Sequence, residues 1–286
     1  MTPVQWIGLG IKLSLIIIVL CVALNTRRGD MLSLMRRPGL LIRSVLAMGV
    51  LMPIFAALLA AMFALNRQIE LALIALAVSP VPPILPQKQI KAGASTSYSV
   101  ALLAWSSVLA IVLIPLIMDL LGWAFHRNAH VPPAAVFKAV AVTLIAPLAA
   151  GAIVRELAPD LAQKVLKPLT LVGNILLVAA VLPALFVAWP ELVKQVGNFT
   201  LLAVVALVLF GLLVGHLLGG PEPGDRTALA LSTAQRHPGV AVTVAAIVAP
   251  HDKSVVMAVL LAFLVSAIAT IPYTKWRQNH RPGASP

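Results

Sequence analysis

The chain has 286 residues, of which 60% are hydrophobic and only 10% charged, with a mean hydropathy of +1.01. A soluble domain carries about a quarter charged residues, so this composition excludes an ordinary soluble globular protein. The net charge of +12 is divided among short segments between apolar runs rather than gathered on one polar face, which argues against nucleic-acid binding.

Nine apolar segments in chain order are long enough to span a bilayer, and short loops connect them. The predicted spans are residues 4–25, 39–65, 69–90, 96–121, 134–157, 166–189, 199–219, 226–249 and 254–275. The predicted fold class is therefore an all-α polytopic membrane protein with nine transmembrane helices. The only cysteine, Cys21, lies inside the first span, so no intramolecular disulfide is expected.

The distribution of basic residues predicts the orientation of these spans. Of the 21 Lys and Arg residues, fourteen are assigned to one side of the membrane and five to the other, either in loops or near the span ends beside them, while Lys12 and Arg236 lie deeper inside spans. Because cytoplasmic loops carry the excess of Lys and Arg, the first side is cytoplasmic. This places the protein in the inner (plasma) membrane with its N-terminus outside and its C-terminus in the cytoplasm.

The third span is interrupted by the sequence Ser79-Pro80-Val81-Pro82-Pro83, with a further proline at position 86. Each proline removes a backbone amide and clashes with the preceding turn, so the helix must unwind here. Hydrocarbon cannot satisfy the freed backbone groups, and such breaks survive only where protein or water covers them. The candidate solute-binding residues of this segment are Ser79, Pro82, Pro83, Gln87 and Lys88.

The eighth span is interrupted by Gln235-Arg236-His237-Pro238-Gly239, and we take Gln235, Arg236, His237 and Gly239 as further candidate solute-binding residues. A buried arginine is costly unless it faces water, an anion or backbone carbonyls. If the two breaks meet, Lys88, Arg236 and His237 favour an anionic solute. The alternative interpretation is structural: Arg236 only neutralises carbonyls, Lys88 extends to the membrane surface, and His237 is a packing residue.

Spans two to four and spans seven to nine share one order: an intact helix, an interrupted helix and another intact helix. The two triplets begin on opposite sides of the membrane. This pattern is typical of the inverted-topology repeats of secondary transporters, whose interrupted helices form the solute site.

These residues resemble the bile acid:sodium symporter family. The resemblance is carried by the basic loop after the first span, by the Pro-rich break followed by Lys91-Ala92-Gly93 and Ser99, and by the second break around Gln235 and Gly239. It implies a nine-helix member with two crossing discontinuous helices, and Gln235 and Ser99 as sodium ligands. It also implies a core domain (39–121 and 199–275) that packs against a panel domain (4–25 and 134–189), with the substrate between them.

The expected function is secondary active transport of a small organic anion by alternating access, with membrane lipid as the other partner and no cofactor. Sodium coupling is disfavoured, because the family's glutamate four residues before the glutamine is Leu231 here, and Arg236 replaces the asparagine after it. The alternatives left open are a proton-coupled or exchange-type anion carrier and a non-transporting sensor or scaffold. Enzymatic activity is not expected, since His237 beside Ser232 and Thr233 is too weak a constellation for nucleophilic catalysis.

Overall fold

All regular elements of the described chain are helices, and they confirm the all-α prediction. The computed structural model describes residues 3–26, 29–63, 65–127, 129–197, 199–250 and 252–280, so Arg27 and Arg28 of the basic loop lie outside the described residues. The helices are α1 (Pro3–Leu24), α2 (Pro38–Met62), α3 (Arg67–Val78), α4 (Leu85–Lys91), α5 (Thr96–Ala124), α6 (Pro133–Leu157), α7 (Pro159–Lys194), α8 (Thr200–Leu218), α9 (Pro223–Ala234), α10 (Pro238–Val248) and α11 (Lys253–Asn279).

Within the described ranges, seven helices are long and apolar enough to cross a membrane: α1, α2, α5, α6, α7, α8 and α11. The third predicted span is divided into α3 and α4, and the eighth into α9 and α10, at the predicted breaks. The fold is that of a polytopic membrane protein, while the count of nine crossings stays a prediction.

The largest difference between a predicted and an observed helix boundary is at the start of α7. Helix α7 begins at Pro159 rather than at residue 166, and only Ala158 separates it from α6. Proline is well tolerated in the first turn of a helix, where its missing amide would have no partner. Lys164 and Lys167 consequently lie on the helix and not in a loop.

Helices α2 and α6 each contain a π-helical stretch shortly before a proline. These stretches are Leu46–Leu51, before Pro53, and Ala141–Ile145, before Pro147. A proline inside a helix removes an amide and crowds the carbonyl four residues earlier, and a wider turn accommodates it. In α2 the wider turn makes the Met52 amide donate to the Ala47 carbonyl, so the Met48 carbonyl has no helical donor.

Helix α1 packs closely on α6 and α7, and glycines allow the approach. A Cβ atom added to Gly151 of α6 would lie 2.6 Å from Ala23 Cβ, and one added to Gly173 of α7 would lie 3.0 Å from Ile17 Cγ2. Small residues at helix contacts are the usual solution in membrane proteins, because van der Waals packing drives helix association there.

The two interrupted spans lie at the centre of the remaining helices. Side chains of α3 from residue 72 to residue 78 are buried, as are those of α9 from residue 227 to residue 234. Helix α8 approaches the α9 backbone at Gly215, where an added Cβ would lie 2.5 Å from Ala230 Cα. The breaks are therefore surrounded by protein.

Candidate solute site at the two helix breaks

The two breaks contact each other through their backbones. The amide of His237, in the second break, donates to the carbonyl of Pro80, in the first, at 2.8 Å. The Val81 amide donates to the hydroxyl of Ser106 on α5 at 3.1 Å. These backbone amides, which hydrocarbon could not satisfy, thus find acceptors on neighbouring segments of the protein.

The Arg236 side chain connects the two breaks to each other and to α2. Its Nη1 donates to the Ser79 carbonyl at 3.0 Å, its Nη2 to the Met48 carbonyl at 2.7 Å, and its Nε to the Thr233 carbonyl at 3.2 Å. The side chain is only 5% exposed. One guanidinium therefore binds carbonyls from α2, from the end of α3 and from the end of α9.

Each of these carbonyls is left without its helical partner for an identifiable reason. In a continuous helix the Ser79 carbonyl would accept from residue 83, which is a proline and has no amide. The Thr233 carbonyl would accept from the amide of His237, which instead bonds to Pro80. The Met48 carbonyl loses its partner because the Met52 amide donates to Ala47 in the π-helical stretch.

His237 is the N-cap of α10. Its Nδ1 accepts from the amides of Gly239 at 3.1 Å and Val240 at 3.4 Å, and its side chain is 1% exposed. Because Nδ1 acts as an acceptor, the neutral ring carries its proton on Nε2, which has no hydrogen-bond partner in the described structure. The imidazole thus stabilises the start of the second half-helix.

Gln89 also links the two interrupted spans, and it is absent from the candidates derived from the sequence. Its Nε2, on α4, donates to the Ala228 carbonyl and to the Ser232 hydroxyl of α9, both at 2.7 Å, and the residue is fully buried. Gln87, two residues earlier, faces a different cavity. A helix of seven residues is too short for a periodic pattern to predict which glutamine faces α9.

A lysine cavity of about 300 Å³ lies between α4, α9 and α11. Lys88, Lys91 and Lys275 line it, together with the buried Gln235 and Thr270. The Gln235 amide donates to the Thr270 hydroxyl. No carboxylate is among the described residues that line this cavity, so its electrostatic potential favours anions. The spacing of Lys88 and Lys91, three residues apart on one helix, could have predicted their common face.

A second cavity, of about 160 Å³, separates α1 and α7 from α4 and α5. We call it the crevice. Its polar lining consists of uncharged side chains, namely those of Cys21, Asn25, Gln87, Thr96 and Thr170. It can form hydrogen bonds with a solute but offers no countercharge.

The candidate residues are therefore distributed over several places. Lys88 and Gln235 share the lysine cavity, Gln87 faces the crevice, and Ser79 and Arg236 line a largely apolar cavity of about 40 Å³ between α2 and α5. The other candidates line none of these three cavities; they are Pro82, Pro83, His237 and Gly239.

The two residues expected as sodium ligands differ in their surroundings. The Ser99 hydroxyl is buried and has no hydrogen-bond partner in the described structure, whereas Gln235 lies next to Arg236 and opens onto the lysine cavity. Sodium prefers several oxygen ligands, and a carboxylate among them supplies the countercharge. The described residues at the breaks include no carboxylate, and the guanidinium already occupies the freed carbonyls, so this donor set does not fit sodium.

Comparison with known proteins gives one family. The model of the Sodium Bile acid symporter family matches residues 12–189, which contain the first break. The second break and Arg236 lie beyond the matched stretch. No curated protein matches the chain.

Proposed function

The chain belongs to the Sodium Bile acid symporter family, whose members are membrane transporters, and we propose that it is a secondary carrier of a small organic anion. The observation that carries this proposal is the lysine cavity beside the two interrupted helices. In secondary transporters the interrupted helices hold the solute, and here they adjoin a cavity that lacks a described carboxylate.

The size and charge of the lysine cavity support an anion of modest dimensions. Its volume of about 300 Å³ lies at the lower end of small-molecule sites, which span roughly 300–1,000 Å³. Lysines attract anions as point charges on flexible stems. At the buried side of the cavity, the Gln235 amide gives one hydrogen to Thr270 and has a second one to donate to an anion. A solute with one or two carboxylate or phosphate groups fits this lining.

The proposed movement is that of α2–α5 with α8–α11 against the group of α1, α6 and α7. Glycine contacts hold each group together, and Arg236 and Gln89 link the interrupted helices within the larger one. The crevice runs along the boundary, so a sliding or rocking motion would open it to one side at a time. With the orientation proposed from the basic residues, the lysine cavity faces the cytoplasm.

Sodium or proton coupling is not part of the proposal. The donor set at the breaks does not fit sodium, as described above. Protonation of His237 at Nδ1 would remove the acceptor that caps α10. Uniport or exchange of an anion agrees best with both features, and a non-transporting sensor or scaffold is the alternative that the experiment must separate.

Uptake into proteoliposomes tests the proposal. Small mono- and dicarboxylates and phosphate esters are offered as labelled solutes, in sodium and in sodium-free buffer. Replacing Lys88, Lys91 or Lys275 by Gln should weaken binding of the transported anion by about threefold or more per lysine, as expected for exposed charges a few ångströms from a ligand. Lys164→Gln, an exposed lysine on α7, is the matched control and should leave uptake unchanged.

The outcomes separate the alternatives. Saturable anion uptake that falls in the three cavity variants and persists in the control supports an anion carrier. Saturable binding without uptake for every anion identifies a sensor or scaffold. Uptake that is insensitive to all three substitutions would remove the lysine cavity from the site.

A further inference from the structure

The two breaks meet where His237 bonds to Pro80 and Arg236 bonds to Ser79, and we call this place the crossing. We infer that the crossing is a cation site occupied by the chain's own Arg236 in place of a diffusible cation. The inference deepens the proposed function by assigning its coupling, and it rests on that function only for its transport readout. Its basis is the convergence of three carbonyls, from residues 48, 79 and 233, on one guanidinium.

The crossing has the features of a cation site. Backbone carbonyls that are freed from helices coordinate alkali cations in channels and carriers. Helices α3 and α9 both end here, at Val78 and Ala234, and each helix C-terminus carries a partial negative charge of about half an elementary charge. Two helix ends and three unpaired carbonyls therefore require one positive charge, and the guanidinium supplies it.

The sequence supplies this cation, and it also removes the backbone amides that would otherwise bond to the three carbonyls. Pro83 cannot bond to Ser79, the π-helical stretch leaves Met48 free, and the His237 amide is committed to Pro80. The described residues of the crossing include no carboxylate that would pair with Arg236 instead. A tethered cation cannot leave during the cycle, so an anion carrier built this way has no need for sodium at the crossing.

Chemical rescue tests the inference: the Arg236 guanidinium is removed by substitution, and free guanidinium ions are then added to the variant. Arg236→Ala leaves the carbonyls and a space of side-chain size, which guanidinium ions at non-denaturing, low-millimolar concentration can fill. We expect anion uptake by the variant to fall about tenfold or more, since each charge-assisted hydrogen bond is worth roughly an order of magnitude in an equilibrium constant. Guanidinium should restore a measurable part of it, whereas tetramethylammonium, which has the charge but no N–H donors, should not.

Two further variants control for loss of charge and loss of folding. Arg236→Lys keeps the charge with fewer donors and should retain more uptake than Arg236→Ala. Arg277→Ala removes another buried arginine that bonds to the Thr227 hydroxyl and the Pro223 carbonyl, away from the crossing. Any uptake that this variant loses should not return with guanidinium.

The inference and the proposed function fail in different ways. Without any transported anion, the melting temperature of Arg236→Ala still reports the site, because a ligand that binds only the folded state raises it. A guanidinium-specific rise in melting temperature supports the cation site even then. A folded Arg236→Ala variant that guanidinium neither stabilises nor reactivates overturns the inference, as does anion uptake by the wild type that requires sodium.

Discussion

Gln89 offers a sharp test of how the two interrupted helices are joined. Replacing it by Leu removes the hydrogen bonds to the Ala228 carbonyl and the Ser232 hydroxyl. Side-chain hydrogen bonds in membrane proteins contribute about 0.6 kcal/mol each on average and about 1.7 kcal/mol at most. Two such bonds predict a loss of about 1 to 3 kcal/mol in the free energy of unfolding.

An opposing effect reduces that loss. Gln89 Oε1 is buried without a hydrogen-bond partner in the described structure, and a buried unpaired acceptor costs about 1 to 3 kcal/mol. Leu removes this acceptor while it fills a similar volume. The net change expected for Gln89→Leu is therefore between about 2 kcal/mol of stabilisation and about 2 kcal/mol of destabilisation.

A double-mutant cycle isolates the contact with α9. Gln89→Leu, Ser232→Ala and the double variant are unfolded with SDS in mixed micelles and followed by tryptophan fluorescence. The coupling energy between residues 89 and 232 should be about 0.6 to 1.7 kcal/mol. Gln87→Leu, on the crevice side of α4, is the matched control and should change stability little.

Two results would refute this reasoning. A coupling energy indistinguishable from zero would mean that Gln89 does not bind Ser232. A loss above about 3 kcal/mol in Gln89→Leu would mean that Oε1 has a stabilising partner, such as an ordered water or a bound ion.

Two other predictions concern helix packing and movement. Gly215→Ala should lower the melting temperature by several degrees, because the new Cβ meets the backbone of Ala230 and overpacking costs about 1 to 3 kcal/mol. Gly8→Ala is the control, since no atom lies within 4 Å of the Cβ it adds. Equal melting temperatures for the two variants would contradict the α8–α9 contact. Cys21 is the only thiol and lines the crevice, so its labelling rate by a small thiol reagent should change when a transported anion saturates the protein. An unchanged rate would argue against movement at this boundary.

The positions of the breaks could be predicted from the sequence because proline acts locally. Each proline between residues 80 and 86 removes an amide wherever the rest of the chain lies, so α3 had to end near Ser79. The cost of burying Arg236 was equally predictable, and one of the two interpretations offered for it, neutralisation of carbonyls, agrees with its three contacts. Whether Arg236 binds an anion or backbone carbonyls was not predictable, because that depends on which groups the folded chain places around its side chain.

Long-range partners account for what sequence reasoning missed. The Met48 carbonyl lies 188 residues from Arg236 and is free only because a π-helical turn changes its register. The lysine cavity joins residues of α4 to Lys275 of α11, and no local pattern relates them. The roles of Gln87 and Gln89 separate only when α9 and α1 are in place on the two sides of α4.

The sequence by itself determined that this is a membrane protein with two interrupted helices and an arginine in one of them, because hydropathy, proline and charge burial act residue by residue. Only the tertiary structure decided what the arginine binds and where the exposed lysines meet, because carbonyls freed in three separate segments become one site only when those segments pack together. Folding thus placed the fixed charge of Arg236 at the crossing, and it left Lys88, Lys91 and Lys275 lining the neighbouring cavity.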